Sequence, residues 1–275
     1  MYDMSLMTVG AHPDDEAGCS GCMTKYVERG GRAYVVCATR GDGVDAEIKD
    51  PAVATRETLG LARVEELRCA CAKLGVESPI VLGFQDGEVD KVDTESAAQM
   101  LARLVRELKP TVVITHGPEG GYGHPDHIAV YRFTTRAVEI AGDPAVSLDL
   151  PPFAPAKLYY TAWPKSYLES VPGFRERRAM IAGRELTFLG VPDEQITTEV
   201  DIHPWLIRKL DALACHRTQF EMDAETGQPK TFASGLPEEQ RLQFFGHERF
   251  VLARGPARSA NGEIEYDLFA GIPLR

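Results

Sequence analysis

Two groups of histidines and carboxylates follow predicted strands in the first half of the chain. The sequence Gly-Ala-His-Pro-Asp-Asp-Glu occupies residues 10–16, directly after an apolar run at residues 6–9. The sequence Gly-Tyr-Gly-His-Pro-Asp-His occupies residues 121–127, beyond the apolar run at residues 111–115. Histidine nitrogens and carboxylate oxygens are the usual ligands of catalytic zinc, which keeps one position for water. Because two histidines and a carboxylate also suit non-haem iron, the pattern predicts a site for zinc (Zn2+) or iron (Fe2+).

Helix capping is the simpler interpretation of the first group. Asp14 or Asp15 could accept hydrogen bonds from the first N–H groups of the following helix. Capping accounts for one acid, but not for a histidine, two successive acids and Glu16 together, since buried charges are costly without partners. In the second group a proline suits the first turn of a helix, so His124 and His127 are expected to face one cleft. We therefore favour a metal site over capping alone.

Short apolar runs alternate with segments of helical period over residues 1–165. The predicted strands are residues 6–9, 34–38, 80–82, 111–115 and 158–161, with a late strand at 250–253. This alternation predicts an α/β, Rossmann-like, doubly wound and mainly parallel sheet with helices on both faces. Ligands of such sheets bind beyond the carboxyl ends of the strands, where both groups lie. Residues 166–275 are less regular, with short helices expected over 165–200, and are predicted to form a C-terminal appendage within a single domain of residues 1–275.

The charge and composition of the chain limit the kinds of molecule that it is expected to bind. The chain has 275 residues, of which 30 are Lys or Arg and 41 are Asp or Glu, giving a net charge of −11. Nucleic acid is an unexpected partner for so acidic a chain, because phosphate backbones need a positive field. The sequence shows no secretory signal and no run of about 18 apolar residues that could span a bilayer. A cytoplasmic protein that acts on a small molecule is therefore expected.

The six cysteines are dispersed through apolar segments. Cys19 and Cys22 fall on the apolar stripe of the first helix, which favours packing over redox chemistry. All six are predicted to be reduced, buried thiols in a reducing compartment, without a Cys-ligated structural metal site.

The motifs at residues 11–16 and 121–127 resemble those of the PIG-L/LmbE-like family of zinc-dependent de-N-acetylases. The resemblance covers roughly residues 5–140, and Lys209–Gln219 is similar to the Lys…His-x-Ser/Thr-Gln helix end of that family. The tyrosine before the second histidine motif is especially similar to the branch that deacetylates the glucosaminyl-inositol precursor of mycothiol. The resemblance implies a metal site of His12, Asp15 and His127, with catalytic residues Asp14, His124, Tyr122 and Asp126, and substrate-binding residues Arg63, Asp86 and His216.

Each catalytic residue takes a specific role from this resemblance. Asp14 would be the general base that activates the attacking water. His124 would act as general acid or as electrostatic support for the tetrahedral intermediate, and Asp126 would orient His124 and support its charge. Tyr122 would donate a hydrogen bond to the oxyanion.

Each of the three implied substrate-binding residues also has a purely structural interpretation. Arg63 could be a solvated charge on a helix, and Asp86 could be a turn residue beside a glycine. His216 could lie at a surface-exposed helix end.

The roles together predict metal-dependent hydrolysis of an N-acetyl group from an N-acetylglucosamine-type moiety of a small glycoconjugate. A larger amide, such as a mycothiol S-conjugate, an antibiotic or a lipid-linked sugar, is the alternative substrate. A non-catalytic metal- or sugar-binding module and a nucleotide-binding oxidoreductase are the other classes considered. The first strand lacks the Gly-x-Gly-x-x-Gly turn that a dinucleotide needs, which argues against the oxidoreductase. The resemblance also implies a homo-oligomer.

Overall fold

A seven-stranded sheet forms the centre of the structure. The computed structural model describes residues 1–171, 176, 178–181, 183–188, 190–231, 234–257 and 263–275. In chain order the strands are β1 (Ser5–Gly10), β2 (Arg32–Thr39), β3 (Ile80–Phe84), β4 (Val112–Thr115), β5 (Lys157–Thr161), β6 (Arg178–Ile181), β7 (Arg184–Thr187), β8 (Thr198–Asp201) and β9 (His247–Arg254). The order across the large sheet is β3-β2-β1-β4-β5-β9-β8, and β6 and β7 form a separate hairpin.

Helices connect most of these strands. They are α1 (Ser20–Glu28), α2 (Leu59–Leu74), α3 (Thr94–Leu108), α4 (Gly120–Gly123), α5 (Pro125–Gly142), α6 (Lys165–Ser170), α7 (Leu206–Leu213) and α8 (Glu238–Phe245). Short 3-10 turns occupy Asp15–Gly18, Val89–Lys91, Asp193–Gln195 and His203–Trp205. Within the described part of the chain, no helix has the length and apolar character that a membrane span requires.

The first five strands of the large sheet run parallel, and the central strands β1 and β4 are buried along their whole length. Side chains alternate between the faces of a strand. Leu6 packs into the cluster that includes Leu67 of α2, whereas Met7 packs into the opposite cluster with Phe133 of α5. This arrangement confirms the predicted α/β, doubly wound, Rossmann-like architecture, and it brings the carboxyl ends of neighbouring strands to one edge.

The second half of the chain also contributes to the large sheet. Strand β9 pairs antiparallel with β5, and β8 pairs antiparallel with β9. A mixed segment with short helices was expected over residues 165–200, and α6 and the 3-10 turn Asp193–Gln195 lie there. The described part of this segment also holds the strands β6, β7 and most of β8, which were not predicted. Each of these strands has four residues, and in β8 the buried Val200 is followed by the exposed Asp201. Such short alternations give too weak a sequence signal to be distinguished from turns.

Two of the six cysteines are not free. Cys69 on α2 and Cys215 after α7 form a disulfide, with their Cα atoms 5.9 Å apart, so the prediction of six reduced thiols was wrong for this pair. The other four are free and buried, as predicted. Burial raises the pKa of Cys19 to about 12, which keeps that thiol protonated. The pairing was not predictable because it depends on the packing of α2 against α7, elements far apart in sequence.

Replacing Cys69 with serine is expected to lower the free energy of unfolding by about 2–4 kcal/mol, since the bridge constrains a long loop of the unfolded chain. The disulfide joins residues 146 positions apart. Urea unfolding of the wild-type and Cys69→Ser proteins measures the difference. Reductant should produce the same loss in the wild type and no further loss in the variant. A wild type that is equally stable with and without reductant would contradict this expectation.

Candidate metal and active site

Neighbouring parallel strands bring the two histidine motifs together. Strands β1 and β4 pair in register, and both end at the same edge of the sheet. The segment that follows β1 carries His12 and Asp15, while the helix that begins with Pro125 carries His127. The two motifs, more than 100 residues apart in sequence, therefore share one site.

His12, Asp15 and His127 converge on a small volume. His12 Nδ1 lies 3.2 Å from His127 Nε2. Asp15 Oδ2 lies 3.8 Å from His12 Nδ1, and Asp15 Oδ1 lies 3.5 Å from His127 Nε2. A ring nitrogen of His124 is also within 4.8 Å of one nitrogen from each of the other two histidines. Two imidazoles and one carboxylate fit the donor set of a catalytic divalent metal ion.

Two further carboxylates fix the orientation of the His12 ring. Asp86 Oδ1 lies 2.9 Å and Asp126 Oδ2 lies 3.3 Å from His12 Nε2, so Nδ1 faces His127. Burial lowers the pKa of His12, but the hydrogen bonds to Asp126 and Asp86 raise it overall to about 10. Carboxylates in this position usually orient metal-binding histidines and raise their basicity. The carboxylates around His12 therefore stabilise a positive charge at this position, whether it is a proton on the ring or a bound metal cation.

Asp126 was predicted to orient His124 and support its charge, and its carboxylate lies instead at the loop after β3 and at His12. The carboxylate accepts hydrogen bonds from Gly87 N at 2.7 Å and Val89 N at 3.1 Å, and it contacts His12. It is instead the peptide N–H of Asp126 that donates to His124 Nδ1, at 3.1 Å. Adjacency in sequence did not reveal that the Asp126 side chain turns towards the loop after β3.

Asp86 also has unpredicted partners. Its Oδ2 accepts a hydrogen bond of 2.6 Å from Gly43 N, while its Oδ1 contacts His12. Burial raises the pKa of Asp86, but His12 outweighs this effect and lowers it far below the ordinary value. A contact between Asp86 and substrate stays a prediction.

Backbone amides and His116 hold the Asp15 carboxylate. Asp15 Oδ2 accepts hydrogen bonds from Ala11 N at 2.7 Å and His12 N at 2.8 Å, and it lies 3.1 Å from His116 Nε2. Burial raises the pKa of Asp15, but His127 and His116 lower it well below the ordinary value. The His116 ring stacks on His127 with centroids 4.0 Å apart. The sequence analysis gave His116 no role, although its place directly after β4 was a usable signal.

Asp14 occupies a sharp turn beside the three converging side chains. Its φ of 110° lies in a region that residues other than glycine rarely adopt. Its N–H donates to Glu16 Oε2 at 2.9 Å, and its Oδ1 lies 3.4 Å from Arg63 Nη2. Burial raises the pKa of Asp14 to about 6, although Arg63 opposes the shift. The strained turn allows successive acids to serve different partners, Asp15 at the strand end and Asp14 at Arg63.

Arg63 is 4% exposed, which contradicts the alternative of a solvated helix charge. Its Nη1 donates to Gly41 O at 2.7 Å and its Nη2 donates to Pro13 O at 2.5 Å. The guanidinium therefore joins helix α2 to the turn that carries Asp14. Its contact with substrate stays a prediction.

His216 is 0% exposed, so the alternative of a surface-exposed helix end was wrong. Its Nε2 lies 2.6 Å from Glu16 Oε1. Burial lowers the pKa of His216, but Glu16 outweighs this effect and raises it above the ordinary value. Glu16 also accepts a hydrogen bond from the peptide N–H of Asp14. His216 therefore stabilises the turn at Asp14 through Glu16. Contact between His216 and substrate stays a prediction.

A glycine-rich turn positions the Tyr122 side chain beside His127 at the same site. Gly121 has a φ of 72°, a conformation that favours glycine. The Tyr122 ring centroid lies 5.5 Å from that of His127, and the ring stacks on Phe188 at 4.6 Å, a contact that the sequence analysis missed. Burial raises the pKa of Tyr122 above its ordinary value, so the hydroxyl remains a hydrogen-bond donor.

His124 is a second donor. Burial and the neighbouring His12 lower the pKa of His124 to about 4, which makes the ring neutral at pH 7. Its Nδ1 accepts the N–H of Asp126, so the proton of the neutral ring lies on Nε2. The site thus combines a candidate metal centre, the Asp14 carboxylate beside it, and two hydrogen-bond donors, the Tyr122 hydroxyl and His124 Nε2–H.

The sequence profile of the family described as GlcNAc-PI de-N-acetylase (PIG-L) matches residues 7–138. Sequence comparison extends this likeness over nearly the whole chain, and the protein belongs to this family, as predicted. A relative from Thermomonospora curvata, named 1D-myo-inositol 2-acetamido-2-deoxy-alpha-D-glucopyranoside deacetylase, is 36% identical over 296 residues, covering 98% of each chain. A relative of the same name from Rhodococcus jostii is 34% identical and covers 99% of each chain.

Solved structures share the fold at lower identity. N,N'-diacetylchitobiose deacetylase from Pyrococcus horikoshii aligns with a TM-score of 0.65 and 20% identity, over 90% of this chain and 83% of that one. At this level of identity the comparison shows the fold alone. Because one fold hosts many reactions, the reaction has to be argued from the site residues.

Proposed function

We propose that the chain is a zinc-dependent enzyme that hydrolyses the N-acetyl group of an N-acetylglucosamine-type moiety on a small glycoconjugate. The observation that carries the proposal is the convergence of His12, Asp15 and His127, with Asp14 beside them. The name of the Thermomonospora curvata relative supports an N-acetylglucosaminyl inositol as the substrate class. The ring nitrogens and the carboxylate would hold Zn2+, and Fe2+ suits the same donors.

A divalent ion at this position supplies the Lewis acidity that activates water and polarises the amide carbonyl. The role of Asp14 is then to take a proton from the attacking water. Asp14 suits this role because its side chain is 24% exposed, whereas that of Asp15 is 13% exposed and held by backbone amides. With a pKa of about 6, Asp14 is ionised at neutral pH and can accept the proton.

Hydrolysis forms a C–O bond to the acetyl carbon and breaks the C–N bond. The proton that Asp14 accepts passes to the leaving amine, so acetate and the free amino sugar are the products. Negative charge that develops on the carbonyl oxygen is stabilised by preplaced donors. His124 Nε2–H and the Tyr122 hydroxyl are the donors that this chain offers beside the site.

Arg63 is the proposed contact for sugar hydroxyl groups. Its guanidinium lies 3.4 Å from the Asp14 carboxylate, and its buried Nε has no hydrogen-bond partner within the described part of the chain. Asp86 is proposed to act first on His12, because both of its oxygens have partners there and at Gly43. The net charge of −11 supports a small molecule rather than nucleic acid as the partner. The cytoplasm is the proposed location, and self-association stays a prediction.

Removal of the metal ion is expected to abolish acetate release from N-acetylglucosaminyl inositol, and added Zn2+ is expected to restore it. The reason is that Asp14 alone is too weak a base to activate an unpolarised water. The assay should include an N-acetylated chitobiose, an S-conjugated thiol and a lipid-linked sugar to fix the substrate class. Acetate release that persists after complete chelation would overturn the metal-dependent mechanism.

A further inference from the structure

A second group of metal-binding side chains lies where β8 meets β9. We call Asp201, His203 and His247 the β8–β9 cluster, in which one ligand atom from each residue lies within 4.8 Å of the others. It shares no residue with the candidate active site. Asp201 ends β8 and His247 begins β9, and the antiparallel register pairs them directly. Opposed residues of this kind have their Cβ atoms about 4.5–5.5 Å apart, so the pair meets without rearrangement.

The chain folds His203 back over this pair. Asp201 Oδ1 accepts a hydrogen bond from His203 N at 2.9 Å and lies 2.8 Å from His203 Nδ1. The ring passes over Gly246, where an added Cβ would lie 2.3 Å from His203 Nε2, so a larger residue would displace the ring. Ile202 N donates to Gly246 O at 2.8 Å and holds the two chain segments together. The ring of His203 is therefore placed between the Asp201 carboxylate and the backbone at Gly246.

His247 completes the arrangement. Its ring centroid is 4.9 Å from that of His203, with the planes at 85°. His247 Nδ1 lies 3.5 Å from the Gln243 carbonyl oxygen, which favours a proton on Nδ1 and leaves Nε2 able to bind a cation. Glu199 Oε2 accepts a hydrogen bond from Arg249 Nε at 2.6 Å, and its Oε1 lies 3.9 Å from His247 Nε2. Asp201 is the carboxylate whose oxygen lies within 4.8 Å of a nitrogen of each histidine.

We propose that the β8–β9 cluster binds a divalent transition-metal ion of the zinc class, in addition to the ion of the active site. Imidazole donors with one carboxylate suit zinc, nickel or copper and not magnesium or calcium, which prefer oxygen ligands. The side chains of His203, Asp201 and His247 are 40%, 65% and 24% exposed, so the ion would keep water ligands and exchange with solvent. Its bonds would join β8, the following turn and β9, and would stabilise the folded state by mass action.

The test counts Zn2+ ions on the full-length enzyme by equilibrium dialysis and elemental analysis. We expect two ions per wild-type chain and one ion in His203→Ala and in His247→Ala. Asp201→Asn should weaken the second ion about tenfold or more, by analogy with the loss of a carboxylate near other metal sites. Deacetylation should be unchanged in all three variants, because these residues lie outside the active site. His12→Ala is the reciprocal control, which should lose the active-site ion and keep the other.

Two results would overturn the proposal. One is a wild-type chain whose only bound Zn2+ is lost in His12→Ala and kept in His203→Ala. The other is a second Zn2+ that persists in the double variant His203→Ala/His247→Ala. Thermal unfolding in excess chelator shows whether each variant is folded, and His203→Asn and His247→Gln replace any alanine variant that is not. Zn2+ should raise the melting temperature of Asp15→Ala, which lacks an active-site ligand, and should not raise that of Asp15→Ala/His203→Ala.

Discussion

Asp14→Asn is expected to lower kcat for deacetylation by about 10²–10⁴-fold, the usual contribution of a general base. Asparagine keeps the size of the side chain and its contact with Arg63, but it does not accept the proton of the attacking water. His12, Asp15 and His127 remain in place, so the content of bound metal should be unchanged. Acetate release by the metal-restored enzyme, together with elemental analysis of the same sample, measures both quantities.

The matched control is Asp90→Asn, which removes an exposed carboxylate from the 3-10 turn Val89–Lys91 and should leave kcat unaltered. KM should change less than kcat for Asp14→Asn, because Asp14 acts on the water rather than on the sugar. An Asp14→Asn enzyme that carries its full metal content and turns over within tenfold of wild type would exclude Asp14 as the base.

His216→Ala is expected to lower the free energy of unfolding by about 3–5 kcal/mol, the usual cost of breaking a buried ion pair. His216 is 0% and Glu16 is 3% exposed, so the variant leaves a buried carboxylate without its cation. The pKa of His216 is raised in the folded chain. The stabilisation is therefore complete below about pH 6.5, the ordinary pKa of histidine, and is lost as the pH rises through the raised value.

Urea unfolding at a series of pH values compares wild type with His216→Ala and His216→Gln, in which the side chain does not titrate. In excess chelator His203→Ala is the control, because its exposed pair with Asp201 should contribute less than about 1 kcal/mol. Equal losses in His216→Ala and His203→Ala at every pH would contradict a buried ion pair. Since Glu16 also binds Asp14 N, His216→Ala should lower kcat as well, and His216→Gln should recover part of it.

The first half of the fold was predictable because its strands are apolar on both faces and alternate with helices. Because parallel strands end at one edge of the sheet, the same pattern predicted that the ends of β1 and β4 lie together. His12 was therefore expected near His127 without any knowledge of side-chain geometry. Strand β8, with four residues and a single deeply buried valine, gave no comparable signal.

The parts of the site that were not predictable depend on side-chain direction. Asp126 follows His124 by two residues, yet its carboxylate binds the loop after β3 and the ring of His12. His216 follows a helix of strong amphipathic pattern, but its burial depends on Glu16 reaching it from a distant turn. Such contacts arise from packing between elements, which periodicity along one chain does not encode.

The position of β9 between β5 and β8 has a consequence for biosynthesis. Until residues 247–254 leave the ribosome, the free edge of β5 exposes unpaired backbone groups that can pair with another chain. The parallel strands can assemble earlier, because every one of them precedes residue 162. A nascent chain therefore holds both histidine motifs long before β9 covers the edge of its sheet, and a chain truncated before β9 is expected to aggregate through that edge.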